Sequence, residues 1–360
     1  MLKRLHLKNF TVFADADFEF SPGLNVLVGT NGTGKSHVLK VGYAVDAARF
    51  NTNNQDFTIN IQGTNDLAAV AWTSGLYRLL PEMFMSGQLA PLIRWNATSK
   101  AVIKADFGAS EELLFELTPA SMNAEGMASI KTLLAPVSTT EVFRSVFIPA
   151  KEILSLSWML PGSEQIKAPI ERNYLDLLHL LRRLPLQAPL SPQAIQALFE
   201  VLGGEVHEEG DKYYLVDAAG RRTGINMVAE GLRKFGTLQK LLSNGSLTKN
   251  NTLFWDEPEA NLNPALLRKL AAILAELARQ GFQIILATHN MSLLKEFHIL
   301  SREPDKEKLP IKYFGLNAEP GQPTTVVTRD DFKYLPDVVA LEVELDQADD
   351  LEEIFARENR

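Results

Sequence analysis

Gly29-Thr30-Asn31-Gly32-Thr33-Gly34-Lys35-Ser36 is the stretch with the clearest chemistry in this chain. It fits the pattern G-x-x-x-x-G-K-[ST] in full. Glycines let such a backbone curl until successive N–H groups point inward, where they bind the oxygens of a phosphate. A helix that begins near Lys35 aims its positive end at the same anion. Lys35 would reach the β- and γ-phosphates of a bound ATP. Ser36 would offer its hydroxyl to Mg2+, a hard cation that takes oxygen ligands. Asn31, Gly32, Thr33, Gly34 and His37 complete the expected cradle. Chance matches to the pattern exist, but here an apolar strand precedes it and a helix follows.

A second group of residues suits the other half of the same chemistry. Thr252-Leu253-Phe254-Trp255-Asp256-Glu257 is an apolar strand ending in two acids. Acids at the end of a buried strand are costly without a partner or a task. At the carboxyl end of a parallel strand they lie where open α/β sheets bind ligands. Asp256 fits a Mg2+ ligand acting through water. Glu257 fits the group that orients and deprotonates an attacking water. An acidic helix cap or a surface ion pair would explain the same two residues in isolation. The company of the phosphate cradle favours the catalytic reading. Ala287-Thr288-His289-Asn290 follows the next apolar run. A lone histidine is usually structural, but at a third strand end His289 can contact a γ-phosphate.

These groups need a scaffold, and the hydrophobic pattern supplies one. Leu5 and Leu7, then Ala14, Ala16, Phe18 and Phe20, alternate with polar residues as half-buried strands do. Residues 24–28 and 253–255, and the run 282–287, read as buried strands. Helices are expected over residues 37–49, 171–184, 226–243 and from Asn263-Pro264 to Arg279, and another opens at Ser191-Pro192. Short antiparallel strands are expected over residues 92–95, 101–106 and 113–117, another strand over 142–148, and a hairpin around 206–216. Residues 51–62 read as a loop, the signal stays weak to residue 91, and residues 341–357 have a helical look. There is no internal repeat or long heptad run.

Composition limits the classes open to the chain. Its 360 residues are 46% hydrophobic and 22% charged, an ordinary balance for a folded soluble protein. It has no cysteine, hence no disulfide or thiolate site, which suits a reducing cytoplasm. No signal peptide and no membrane span are expected. A net charge of −8 weighs against a DNA-wrapping surface. The local basic candidates are Arg182-Arg183, Arg221-Arg222 and Arg233-Lys234, although solvated helix and turn faces are the commoner meaning of such pairs.

Taken together, the motifs resemble the ABC-ATPase superfamily, and within it the SMC, RecF and OLD-nuclease branch. Leu7-Lys8-Asn9-Phe10 with Phe13 resembles that branch's opening strand. Asp256-Glu257-Pro258-Glu259-Ala260-Asn261-Leu262 resembles the Walker B run and the loop that touches the opposite subunit. His289 matches the switch histidine. Val228-Ala229-Glu230-Gly231-Leu232 is the best match to the signature helix, which closes on the partner's γ-phosphate. Ala229 stands there in place of the usual serine, so Ala229, Glu230 and Gly231 are expected to make a weaker trans contact. The glutamine loop has three candidates, Gln55, Gln62 and Gln88. Lys151 or Glu152 is a further residue that could approach the nucleotide.

The resemblance implies an α/β fold of P-loop NTPase type: a mixed sheet with an antiparallel β subdomain and a helical lobe. The expected division is 1–150 (Walker A and β subdomain), 151–250 (helical lobe, hairpin and signature-like helix) and 251–360 (Walker B, switch histidine and acidic tail). It implies ATP and Mg2+ as cofactors, an ATPase whose turnover could be slow, and a homodimer or higher even oligomer. With no long heptad run and little sequence after His289, neither an SMC-type arm nor an OLD-type nuclease domain is expected. A separate effector protein, nuclease or toxin, is therefore expected, as in the ATPase subunits of bacterial anti-phage systems. A RecF-like repair ATPase acting on DNA ends or junctions is the alternative.

Overall fold

The computed structural model describes residues 1–50, 67–108, 111–118, 144–157, 159–160, 170–210, 212–335, 350 and 354–355. Its centre is a six-stranded sheet in the order β13-β12-β3-β11-β10-β6. The strands are β3 (Leu24–Val28), β6 (Val146–Ile148), β10 (Thr252–Asp256), β11 (Gln283–Thr288), β12 (Ile311–Asn317) and β13 (Thr325–Arg329). Five run parallel, and β13 pairs antiparallel with β12 at the edge. The apolar runs are continuous because both faces of this sheet are covered. Leu24, Val26, Leu253, Trp255, Ile284 and Leu286 enter one core; Leu27, Phe254, Ile285 and Ala287 enter the other.

The second core is closed by helix α1 (Lys35–Phe50), helix α2 (Leu67–Phe84) and an antiparallel sheet, β2-β1-β4-β5. That sheet comprises β1 (Arg4–Phe10), β2 (Phe13–Glu19), β4 (Ala101–Gly108) and β5 (Glu111–Leu117). The first core is closed by α3 (Arg172–Leu181), α4 (Pro192–Leu202), α5 (Glu230–Ser243), α6 (Pro264–Arg279) and α7 (Met291–Ser301). A small sheet of β7 (Gly204–Glu209), β8 (Lys212–Asp217) and β9 (Arg222–Gly224) sits beside α5. The architecture is the expected α/β one, with a mixed sheet, an antiparallel β subdomain and a group of helices.

Local readings hold in most places and fail in a few. Residues 92–95 do not form a strand: Ala90–Leu92 is a 3-10 turn, Ile93 makes a single bridge to Phe10, and Trp95 is exposed. Helix α5 starts at Glu230 rather than 226, because Ile225–Met227 is a separate 3-10 turn and Val228 and Ala229 are extended. The 51–62 loop lies outside the described residues, as does the 341–357 helix apart from residues 350, 354 and 355.

A buried charge cluster ties α1 to the helical side. Asp176 of α3 accepts a hydrogen bond from Tyr43 Oη of α1 (2.7 Å) and from Arg172 Nε (2.8 Å), and pairs with Arg144 at the foot of β6. Burial opposes the Asp176 charge, but Arg144 and Arg172 outweigh it and hold the carboxyl below the usual range. Asp176→Ala leaves those partners uncompensated and should cost about 3–5 kcal/mol. The wild-type contribution is present above the unfolded carboxylate's pKa of about 3.9 and is lost as pH falls through the lower folded value. Urea unfolding at neutral pH checks this; an unchanged midpoint would refute it.

Candidate functional site

Parallel register brings three strand ends to one edge of the sheet. Val28 of β3 pairs with Thr288 of β11, and Ala287 of β11 pairs with Asp256 of β10. The cradle, the paired acids and His289 therefore emerge side by side.

The cradle is held by its own short bonds. Thr33 is buried and its Oγ1 donates to Thr30 O (2.9 Å). Gly34 has φ +90°, and a Cβ there would fall 2.5 Å from Val12 Cγ2 and 2.9 Å from the Phe13 ring. Only glycine lets the loop lie this close to the turn between β1 and β2. Lys35 Nζ donates to Gly29 O (2.7 Å) and Thr30 O (2.8 Å). Burial pushes its ammonium pKa down, against the pull of Glu257, Asp256 and Glu259. Asn31 and Gly32 are exposed at the tip of the loop. The His37 ring packs edge-on to Phe84 (centroids 5.3 Å apart), and burial lowers its pKa to about 4. Its neutral ring is therefore committed to packing, and the unpaired N–H groups of the first turn of α1 remain for an anion.

Asp256 ends β10 with its carboxyl near the Ser36 hydroxyl. Its Oδ1 is buried with no hydrogen-bond partner. Burial pushes this carboxyl up, opposed by the Ser36 hydroxyl. Next to it Glu257 adopts φ +44°, a left-handed conformation that costs a non-glycine residue of order 1 kcal/mol. Its N–H donates to Ala287 O (3.0 Å) and its C=O accepts from Lys234 Nζ (2.9 Å). Its carboxylate Oε1 lies 3.5 Å from His289 Nδ1, and both side chains are partly exposed. Glu259 is buried, accepts from Thr288 Oγ1 (2.6 Å) and His289 N–H (3.3 Å), and has a carboxyl raised by burial.

The signature-like segment docks against this loop within the same chain. Ala229 is the N-cap of α5 and supplies no side-chain cap; it and Glu230 are exposed. Glu230 Oε1 accepts from Asn261 Nδ2 (2.8 Å). Gly231 is buried, and a Cβ there would meet Asn261 O at 2.6 Å. Its lack of a side chain thus serves this contact.

Other readings are corrected. Glu152 is engaged by other partners: its carboxylate accepts from Ser155 N–H and Oγ–H and pairs with Arg233 Nη1 (3.0 Å). Lys151 and Gln88 are exposed, and Gln55 and Gln62 lie outside the described residues. The basic pairs are not bare patches. Arg182, Arg221 and Arg222 face Glu208, Asp217 and Glu209. Arg233 also donates to Val228 O, and Lys234 is buried rather than solvated. Sequence reasoning missed Lys234 as a site residue. The signal was present: Gly231, Lys234, Phe235, Leu238 and Leu242 recur at helical spacing, so a lysine stands on the apolar face of α5. Among the described residues no group of three or more His, Asp or Glu could hold a metal, and no helix is long and apolar enough to cross a membrane.

Comparison with known proteins bears on the fold and on the family likeness. A family described as "AAA domain, putative AbiEii toxin, Type IV TA system" matches residues 120–295, and one described as "AAA domain" matches residues 4–41. A DNA replication and repair protein RecF from Streptococcus uberis is 27% identical over 114 residues, 32% of this chain and 31% of that one. A RecF from Salmonella arizonae is 46% identical over 48 residues, 13% of each chain. The match thus spans a third or less of these relatives. The structure of an SmcHead bound to the C-winged helix domain of ScpA superposes with TM-score 0.55 at 16% identity, covering 92% of this chain and 98% of that one. An Smc head from Pyrococcus furiosus with an extended coiled coil, bound to a ScpA C-terminal domain, gives 0.53 at 13% identity, covering 98% and 99%. Local sequence likeness, motifs and fold together support an ABC-type ATPase of the SMC and RecF branch.

Proposed function

We propose that this chain binds Mg·ATP in the cradle and hydrolyses it, and that two copies close over two nucleotides to form a switch read by a separate protein. The observation that carries the reading is the convergence of Lys35, Ser36 and Asp256 at strand ends on one edge of the sheet, β3 and β10 flanking β11. Asp256 there keeps a buried oxygen with no hydrogen-bond partner beside the Ser36 hydroxyl. A buried acceptor of that kind fits the hydration shell of Mg2+ better than it fits a purely structural role. Bound Mg2+ would neutralise charge on the phosphate oxygens.

The remaining steps belong to side chains. Lys35 exchanges the carbonyls of Gly29 and Thr30 for phosphate oxygens. Asn31, Gly32, Thr33 and Gly34 wrap the phosphates with main-chain N–H groups, joined by that of His37. Glu257 orients the attacking water and takes its proton. His289, beside Glu257, faces the γ-phosphate. In the closed pair the uncapped start of α5, at Ala229, Glu230 and Gly231, meets the partner's nucleotide. Ala229 lacks the serine hydroxyl, so closure is weaker and turnover slower than with a full signature.

The reader of the switch is an effector, nuclease or toxin, acting in anti-phage defence in the cytoplasm. Two relationships support this: the toxin–antitoxin description of the matching family, and a partner protein bound to an Smc head. The local likeness to RecF favours a second reading, action on DNA ends or junctions. The net charge and the paired arginines speak against it. Affinity purification from cells carrying the native operon should recover an effector, and Lys35→Ala or Glu257→Gln should abolish protection in a phage-plating assay. Recovery of the ATPase alone, with plating unaffected by either variant and salt-sensitive DNA binding in vitro, would replace this reading with the repair one.

A further inference from the structure

A buried lysine ends on the backbone of the loop that carries the hydrolytic acid. Lys234 is 2% exposed, and its Nζ donates to Glu257 O at 2.9 Å. Burying an ammonium is expensive unless strong partners meet it. The acids around it are Glu259, Glu230, Glu257 and Asp256, and burial still lowers its pKa to about 8. An apolar side chain would fill this position of α5 more cheaply, since Phe235, Leu238 and Leu242 line the same buried face.

Glu257 needs an external hold. Its φ of +44° is disfavoured for a residue with a side chain, and such conformations persist only where the surroundings over-determine them. Two main-chain bonds do so here: Glu257 N–H to Ala287 O fixes it to β11, and Lys234 to Glu257 O fixes it to α5. The same helix touches the loop twice more, through Glu230 on Asn261 and Gly231 against Asn261 O. The start of α5 and the Glu257 loop are therefore tied at three points, and Lys234 is the buried charged link among them.

We infer that Lys234 is a positioning residue: it sets the direction of the Glu257 carboxylate by holding that residue's carbonyl, so that the placement of α5 is read at the hydrolytic acid. This inference rests on the proposal that Glu257 activates water. It assigns Lys234 no contact with nucleotide.

The test compares Lys234→Met, Lys234→Arg and Glu257→Gln in the full chain, with nucleotide affinity and single-turnover hydrolysis measured separately. Lys234→Met should hold its affinity for a non-hydrolysable ATP analogue within about twofold while hydrolysis falls about a hundredfold, the scale of a misplacement near 1 Å. Lys234→Arg keeps charge and donors and should recover most of the lost rate. A merely structural lysine would lower affinity, rate and melting temperature together, without rescue by arginine, and that result overturns the inference. If Lys234→Met does not fold, Lys234→Gln takes its place: slow Gln with active Arg supports the inference, and equal rates overturn it. Should Glu257→Gln hydrolyse normally, the role of Glu257 itself fails. Should Glu257→Gln be inactive and Lys234→Met fully active, only the inference about Lys234 fails.

Discussion

Replacing Glu257 by Gln should leave ATP binding intact and lower turnover by about 10²–10⁴-fold, the range of a lost general base. The amide keeps the size of the side chain and its reach toward His289, 3.5 Å away, and removes only the capacity to take a proton. Lys35→Ala should do the reverse. Its ammonium is buried and holds two loop carbonyls, so truncation removes the cation that would meet the β- and γ-phosphates. Losing one partner of a buried charged contact costs about 2–5 kcal/mol, hence roughly thirtyfold to several-thousandfold in affinity. Isothermal titration with ATP and a phosphate-release assay separate the two effects. Equal loss of binding in both variants would refute the division of roles.

The cradle and the strand-end acids were legible because their geometry is local. Gly29 to Ser36 needs only a strand before and a helix after, and Leu24–Val28 and Lys35–Phe50 provide them. The buried strands were legible from continuous apolar runs. Helix α2 was not, because Gly75 and Pro81 interrupt it; the structure uses Gly75 to bring α2 against Ala48 of α1. Strands β12 and β13 also went unread, although β12 lies beside β3 and completes the sheet. Its Tyr313-Phe314-Gly315-Leu316 run is short and glycine-broken, and its register comes from pairing across nearly 300 residues of chain. Contacts of that range leave no local pattern. The role of Lys234 was hidden for the same reason: the helix face was readable, but the carbonyl it meets belongs to a loop 23 residues away.

In the proposed dimer, one chain holds only part of each nucleotide site and a second copy completes it. Within the chain, Glu230 and Gly231 contact Asn261, while Ala229, the N-cap residue of α5, is exposed and supplies no side-chain cap. A two-fold pair would place that end over the partner's cradle and give two equivalent nucleotides. Nucleotide then favours the pair by mass action, and blocking hydrolysis prolongs it. The most direct measurement is analytical ultracentrifugation of Glu257→Gln at micromolar concentration, with and without saturating Mg·ATP. ATP is expected to shift the protein to the mass of two chains, or of a larger even assembly, with one ATP bound per chain, and Lys35→Ala should abolish the shift. A protein that binds ATP at full occupancy and still sediments as a monomer would contradict it.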